Sequence, residues 1–100
     1  MDPQSFAYVY ILSNPVGSTL YVGVTTNLKQ RIIDHKNGVG SAFTRKYGLA
    51  LLVWYEGHHD INVAIKREKQ LKRWQRSWKE ELIKKMNPDW RDLYEDIMGY

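Results

Sequence analysis

Two short segments near the start of the chain alternate aromatic and β-branched residues in the way that strands do. They span residues 8–12 and 20–24, and the stretch between them is rich in turn-forming residues. The pattern predicts two strands joined by a hairpin loop. Because successive side chains point to opposite faces of a strand, Tyr10 shares a face with the residues two positions away, and Tyr21 shares one with Gly23.

A helix and a third strand are predicted after the hairpin. Asn27 is a good N-cap for a helix over residues 28–37, and Gly38 suits the position just beyond its end. The polar and basic stretch at residues 42–48 has no clear period. The nearly unbroken apolar run at residues 49–55 predicts a well-buried third strand.

Two more helices complete the predicted order. Asp60 can cap a long helix that runs to about residue 74, and a second helix over residues 78–86 is stopped by an Asn-Pro pair. Residues 89–100 predict a short helix or an ordered arm. The order strand, strand, helix, strand, helix, helix is typical of an α+β protein.

The length and composition narrow the class of protein. We expect the 100 residues to form one domain over positions 1–100, with a core at about 6–90 and a C-terminal arm at 87–100. The absence of cysteine excludes disulfides and thiolate metal sites and fits a reducing compartment. No stretch approaches the roughly 18 apolar residues of a membrane-spanning helix.

Positive charge is concentrated in one part of the chain. The net charge is +4, but residues 66–85 alone carry nine Lys or Arg against three Glu, whereas residues 89–100 are acidic. Tryptophans lie in or near the basic stretch. Two interpretations stay open, a surface for nucleic acid or the solvated face of a helix.

The long predicted helix carries a carboxylate on its apolar side. On a helical wheel, Ala64, Ile65 and Leu71 belong to one apolar stripe, and Glu68 lies in the middle of it. A carboxylate that faces a core is costly unless it is paired or binds a metal. Glu68 is therefore either the partner of Lys72, one turn later, or a hard oxygen ligand for Mg²⁺.

The first predicted helix carries Arg31 and His35, one turn apart, at the edge of its own apolar stripe. Either one alone is ordinarily a surface arginine or a structural histidine. Together with Tyr10, Tyr21 and Glu68 they suit phosphodiester hydrolysis. A guanidinium can bind phosphoryl oxygens, a metal can neutralise their charge, and a phenol or imidazole can orient or deprotonate a water.

Over about residues 6–90 the chain resembles the GIY-YIG nuclease family. Residues 8–10, Tyr-Val-Tyr, stand where the family has its first motif, and residues 21–23, Tyr-Val-Gly, where it has its second. The family's catalytic arginine, its histidine or tyrosine, and its metal-binding glutamate correspond to three later positions: Arg31, His35 and Glu68. The resemblance is greatest to small stand-alone bacterial members.

The resemblance implies a fold and a chemistry. The fold is a three-stranded antiparallel sheet flanked by helices, in the order β-β-α-β-α-α. One divalent cation, Mg²⁺ or Mn²⁺, would bind Glu68, and Arg31 would hold the scissile phosphate. Tyr21 would orient or activate the water with the support of Tyr10 or His35, although Tyr10 is alternatively a positioning residue. Which of Tyr21 and His35 takes the proton stays open.

The expected function is a metal-dependent endonuclease that hydrolyses DNA, with branched or damaged DNA as a candidate substrate, in the bacterial cytoplasm. At Gly23, next to the second-motif tyrosine, a glycine would let the backbone or the substrate approach closely.

A homodimer or a protein partner is not indicated. The residues expected to contact the DNA backbone are Arg45, Lys46, Lys69, Lys72, Arg73 and Arg76.

Three positions depart from the family pattern, and the last of them, with the basic segment, keeps another function open. Tyr8 replaces the first motif's glycine, Val22 replaces an isoleucine, and Val24 stands where the excision-repair branch has a lysine. The main alternative is a nucleic-acid-binding module of the same fold with weak or no catalysis. A protein-interaction domain is a further alternative, although tryptophans such as Trp78 are more often core residues than interface residues.

Overall fold

The computed structural model describes residues 6–99. Its strands and helices, in chain order, are β1 (Ala7–Ser13), β2 (Leu20–Thr25), α1 (Leu28–Lys36), α2 (Ala42–Lys46), β3 (Leu51–His58), α3 (Ile61–Arg73), α4 (Arg76–Met86) and α5 (Tyr94–Met98). Within these residues, no helix is both long and apolar enough to cross a membrane.

The three strands form one antiparallel sheet in the order β2-β1-β3. β1 is the central strand, and all of its residues are buried. Ile11 pairs with Trp54 and Leu12 with Leu52, so that Val53 is an extra residue in β3. This bulge explains why Val53 and Trp54, although adjacent, both contribute to the core on the same side of the sheet. The predicted α+β fold with a three-stranded antiparallel sheet is confirmed.

The alternation of β1 divides the core into two layers. Val9 and Ile11 pack against residues of α3 and α4, including Leu71 and Ile83. The opposite face of β1 packs against α1 and α5, and its members are Tyr8, Tyr10 and Leu12. The sheet is therefore covered by helices on both faces, and β2 is left as an edge strand.

The predicted helix caps are present. The side chain of Asn27 accepts a hydrogen bond from the Gln30 backbone N–H, and Asp60 accepts one from the Asn62 backbone N–H. Gly38 follows the C-cap of α1 with a φ of +74°, a left-handed conformation that glycine adopts without a Cβ penalty.

Several predicted boundaries are wrong. β3 starts two residues later than predicted and continues through His58, because Ala7 of β1 pairs with that residue. Residues 42–46 form a short helix that the sequence pattern did not predict, because five residues are too few to show a helical period. The Ser41 side chain is its N-cap. α4 starts at Arg76, and Trp78 on it is 53% exposed instead of belonging to the core.

The C-terminal arm is attached to β3 by the buried side chain of Asn87, which is 3% exposed. Its amide donates hydrogen bonds to the carbonyls of Val53, at 3.2 Å, and Arg91, at 2.7 Å. Its Oδ1 accepts the Arg91 backbone N–H at 3.1 Å. Leu93 and Ile97, which follow, then pack in the α1 layer of the core.

Asn87→Ala should lower the free energy of unfolding by about 1–3 kcal/mol, because it leaves the buried carbonyl of Val53 and the part-buried N–H of Arg91 without their partner. Urea unfolding followed by circular dichroism measures the change. Asn62→Ala, at an exposed position of α3, is the control and should stay within about 0.5 kcal/mol of the parent. Equal stability of the two variants would contradict the role of Asn87.

Candidate active site

Two phenols of the hairpin lie together on the face of the sheet that α1 covers. Tyr10 is in the central strand and has no exposed surface, whereas Tyr21, in the edge strand, is half-buried. Their ring centroids are 6.4 Å apart. The sheet therefore presents one phenol to solvent and keeps the other inside.

Helix α1 brings His35 against both phenols. Leu28 and Ile32 anchor the helix in the core, and His35 follows them on the buried side with 8% of its surface exposed. Tyr10 Oη and His35 Nε2 share a hydrogen bond at 3.3 Å. The His35 ring lies 6.0 Å from that of Tyr10 and 6.1 Å from that of Tyr21.

Gly23 makes room for the Tyr10 ring. It pairs with Tyr10 across the hairpin, and a Cβ there would lie 2.4 Å from the phenol oxygen and 2.5 Å from Cζ. Gly23 is itself buried. The close approach expected at Gly23 is therefore made by a side chain of the neighbouring strand, and the expectation that a phosphate backbone uses this gap is wrong because the gap is filled.

A second glycine, for which the sequence patterns predicted no role, shapes the site. A Cβ on Gly40 would lie 2.3 Å from His35 Nδ1 and 2.9 Å from Thr44 Oγ1. The loop after α1 therefore passes directly against the imidazole. The spacing of two glycines around Val39, just after the helix that carries His35, is the signal that could have indicated this contact.

Burial keeps both members of the hydrogen-bonded pair uncharged near neutral pH. Burial raises the pKa of Tyr10 to about 12, against the opposing effect of the Arg31 guanidinium. Burial, together with the Arg31 charge, lowers the pKa of His35 below its usual value, and Asp34 offsets part of that shift. Tyr10 is thus a neutral phenol and not a phenolate base.

Arg31 lines a cavity beside this pair. The cavity has a volume of about 240 Å³, and its walls include Tyr21, Arg31, Asp34 and His35 together with the loop at residues 39–41. Arg31 is half-buried, so its side chain is still open to solvent, and its charge acts on both Tyr10 and His35. An anion in this cavity would meet a fixed positive charge next to Tyr21.

Glu68 reaches the site from the other face of the sheet. It lies on α3, which packs on β1 and β2, and its side chain is only 15% exposed. Lys72 Nζ is 3.4 Å from Glu68 Oε1 and 5.9 Å from the centroid of the Tyr21 ring. The predicted ion pair is present, and Lys72 connects the carboxylate to the phenol around the edge strand.

The donor set at Glu68 fits one divalent cation of the magnesium type. Among residues 6–99, no group of three or more His, Cys, Asp or Glu side chains is placed to hold a metal ion. Mg²⁺ commonly takes only one or two protein carboxylates and completes its shell with water and substrate phosphates. Lys72, the present partner of Glu68, has 51% of its side chain exposed.

The residues expected to contact a DNA backbone fall into four groups. Arg45 and Lys46 are exposed on α2, and Lys69 and Arg73 are exposed on α3. Lys72 belongs to the site itself, as described above.

Arg76 is engaged elsewhere. Its guanidinium donates to the carbonyls of Gly17 and Ser18 in the hairpin loop and to the Glu80 carboxylate. Arg76 therefore fastens the β1–β2 loop to α4, and with 43% of its side chain exposed its contact with a DNA backbone stays a prediction.

A family model described as the GIY-YIG catalytic domain matches residues 6–81, which contain every element of the site. The chain belongs to the GIY-YIG family. Two curated relatives are named UPF0213 proteins. The one from Natronomonas pharaonis is 38% identical over 76 residues, which cover 76% of this chain and 88% of the relative. The one from Clostridium perfringens is 41% identical over 76 residues, which cover 76% of this chain and 81% of the relative.

A solved structure of a GIY-YIG relative has the same fold. The solution NMR structure of a UPF0213 protein from Bacillus halodurans superimposes with a TM-score of 0.56 at 30% sequence identity. The match covers 89% of this chain and 94% of that protein. The small α+β architecture is thus shared with a protein of nearly the same extent.

Gly23→Ala should lower the free energy of unfolding by about 1–3 kcal/mol, because the added methyl group overlaps the Tyr10 ring. A double-mutant cycle tests this. It compares the free energies of chemical unfolding of four proteins: the parent, Gly23→Ala, Tyr10→Leu and the double variant. The alanine should cost less when leucine replaces the ring. Costs that simply add would show that the ring is not what excludes a Cβ.

Acidification should destabilise the parent protein more than it destabilises the His35→Gln variant. Because the pKa of His35 is lower in the folded protein, the unfolded chain binds the proton first as pH falls through about 6.5. The stabilising contribution is complete above that pH and is lost below it. The groups that act on His35 are Tyr10, Arg31 and Asp34.

The measurement is the melting temperature of both proteins between pH 8 and pH 5. If the parent and His35→Gln lose stability in parallel, the histidine is not held neutral by the fold.

Proposed function

We propose that this protein is a metal-dependent endonuclease that hydrolyses phosphodiester bonds in DNA. The observation that carries the proposal is the convergence of three chemically distinct groups at the edge of the sheet. Arg31 and Tyr21 line one cavity, and Lys72 connects Tyr21 to the largely buried carboxylate of Glu68. Membership of the GIY-YIG family supports a nuclease-type fold.

Arg31 binds the scissile phosphate in this proposal. A guanidinium can bind two phosphoryl oxygens at once, and its charge does not depend on pH in the working range. Arg31 is supported by α1, whose buried residues hold the helix against the sheet. The same charge stabilises the additional negative charge that develops on the phosphate during the reaction.

Tyr21 orients the attacking water. Its phenol is the one of the pair that reaches the cavity, since Tyr10 has no exposed surface. Tyr10 is accordingly a positioning residue that holds His35 by a hydrogen bond. His35 in turn packs against the Tyr21 ring and fixes its direction. A water held by a well-oriented phenol needs less reorganisation to reach the phosphorus.

Glu68 would hold the divalent cation, Mg²⁺ or Mn²⁺. When bound, such a cation supplies positive charge that neutralises phosphate oxygens and the leaving group. Glu68 is well suited to this role because its helix fixes it and its side chain keeps a small exposed surface, 15%, where water and substrate oxygens can complete the metal's shell. Lys72 keeps the carboxylate paired in the free protein and adds a positive charge beside the substrate.

Glu68→Ala should reduce nicking of supercoiled plasmid in Mg²⁺ or Mn²⁺ by at least about 100-fold, because even residues outside the first shell of a metal contribute 10–100-fold. Conversion of supercoiled to open-circular DNA on agarose gels gives the rate. Glu81→Ala, at a position with 69% side-chain exposure on α4, is the matched control and should cut at the parent's rate. Equal cutting by Glu68→Ala and the parent would refute the metal-binding role.

The alternative is a nucleic-acid-binding module without efficient catalysis. The observation that favours it is the single carboxylate, already paired with Lys72, together with Val24 in place of the lysine of the repair branch. Such a module would bind DNA in EDTA with an affinity that falls as salt rises, and no metal would induce cutting. Cutting that requires metal and Glu68 excludes this alternative.

A further inference from the structure

Helix α2 exposes two aromatic rings that the core does not use. Thr44 is the buried residue of this helix, whereas Phe43 is 47% exposed and Tyr47, its C-cap, is 43% exposed. Exposing nearly half of a large ring has a cost in water, and neither ring belongs to the two clusters that form the core. The two rings are therefore better explained by a ligand than by packing.

The exposed rings continue directly from the candidate active site. The centroid of Phe43 is 6.2 Å from that of Tyr21, and the centroid of Tyr47 is 4.8 Å from that of Phe43. We call Tyr21, Phe43 and Tyr47 the aromatic ridge. It starts at the phenol that faces the cavity and leads outward over α2.

The ridge is flanked by positive charge. Arg45 and Lys46 are exposed on the same short helix, and Lys46 Nζ lies 5.4 Å from the centroid of the Tyr47 ring. Residues 39–48 contain no Asp or Glu. Aromatic faces that stack bases, next to cations that neutralise phosphates, are the combination with which proteins bind single-stranded nucleic acid. The charge therefore favours a nucleic-acid strand over an uncharged protein surface.

The position of α2 is well defined. The Ser41 side chain caps the helix by accepting the Thr44 backbone N–H at 3.2 Å, and the Thr44 carbonyl accepts the Leu49 N–H at 2.9 Å. Gly40 passes against His35, so the loop before α2 is held at the site. Rings presented by a fixed helix lose little freedom when a base stacks on them.

We propose that the aromatic ridge stacks unpaired bases of the strand that enters the active site. This inference rests on the proposed nuclease function and adds the class of substrate: DNA that is single-stranded beside the scissile phosphate, as in forks and flaps. Bases inside a duplex already stack on one another and offer no free face to Phe43 or Tyr47. The ridge thus selects junctions between paired and unpaired DNA.

The test compares binding and cutting by the full chain. Fluorescence anisotropy in EDTA measures the affinity for a labelled single strand, a fork and a duplex of equal length. Phe43→Ala combined with Tyr47→Ala should weaken binding of the single strand and the fork by roughly tenfold or more, since stacking on an aromatic ring is a large part of such affinities. Duplex affinity should change by less than about twofold, because phosphate contacts remain.

Two further variants act as controls. Phe43→Tyr combined with Tyr47→Phe keeps both rings and should restore the affinity for forks. Trp78→Ala removes an exposed aromatic residue of α4 and should leave the preference for forks unchanged. Thermal melting checks that the double alanine variant is folded, which is expected because neither side chain belongs to the two core clusters.

The outcomes separate the two proposals. If the parent prefers forks through Phe43 and Tyr47 but cuts no DNA with any metal, the ridge is supported and the nuclease proposal fails. If the parent cuts with metal and the double alanine variant binds and cuts forks and duplexes as the parent does, the nuclease proposal is supported and the ridge proposal is overturned.

Discussion

The contact among Tyr10, Gly23 and His35 is the constraint on which the rest of the site depends. The Tyr10 ring occupies the space that a Cβ at position 23 would need, and its oxygen shares a hydrogen bond with His35. This contact ties the central strand to the edge strand and to α1 at one point. Because Arg31 lies one turn before His35 on α1, the same contact also determines where the guanidinium stands.

The edge position of β2 allows both faces of the sheet to contribute to one site. Tyr21 lies on the α1 face, whereas Glu68 comes from α3 on the opposite face. In a wider sheet another strand would separate them. Here Lys72 reaches around the edge to the Tyr21 ring, and its charge offsets the cost of keeping the Glu68 carboxylate largely out of water.

Local chemistry accounts for the features that were predictable. The alternation in β1, the caps at Asn27 and Asp60, and the glycine after α1 depend on residues a few positions apart, so their patterns are visible in the chain. Glu68 was recognisable because it interrupts an apolar stripe. The end of β3 and the helix at residues 42–46 could not be predicted from local patterns. Long-range pairing with β1 extends the strand, and a single side-chain cap starts the helix.

The sequence by itself determined the fold class, the two faces of the hairpin and the set of residue types that suits phosphodiester chemistry. Only the tertiary structure decided which of those residues share a surface. It filled the gap at Gly23 with Tyr10, fastened Arg76 to the hairpin loop and left Phe43 beside Tyr21. The physical reason is that alternation and helical period depend on near neighbours, whereas exposure and proximity depend on how distant elements pack.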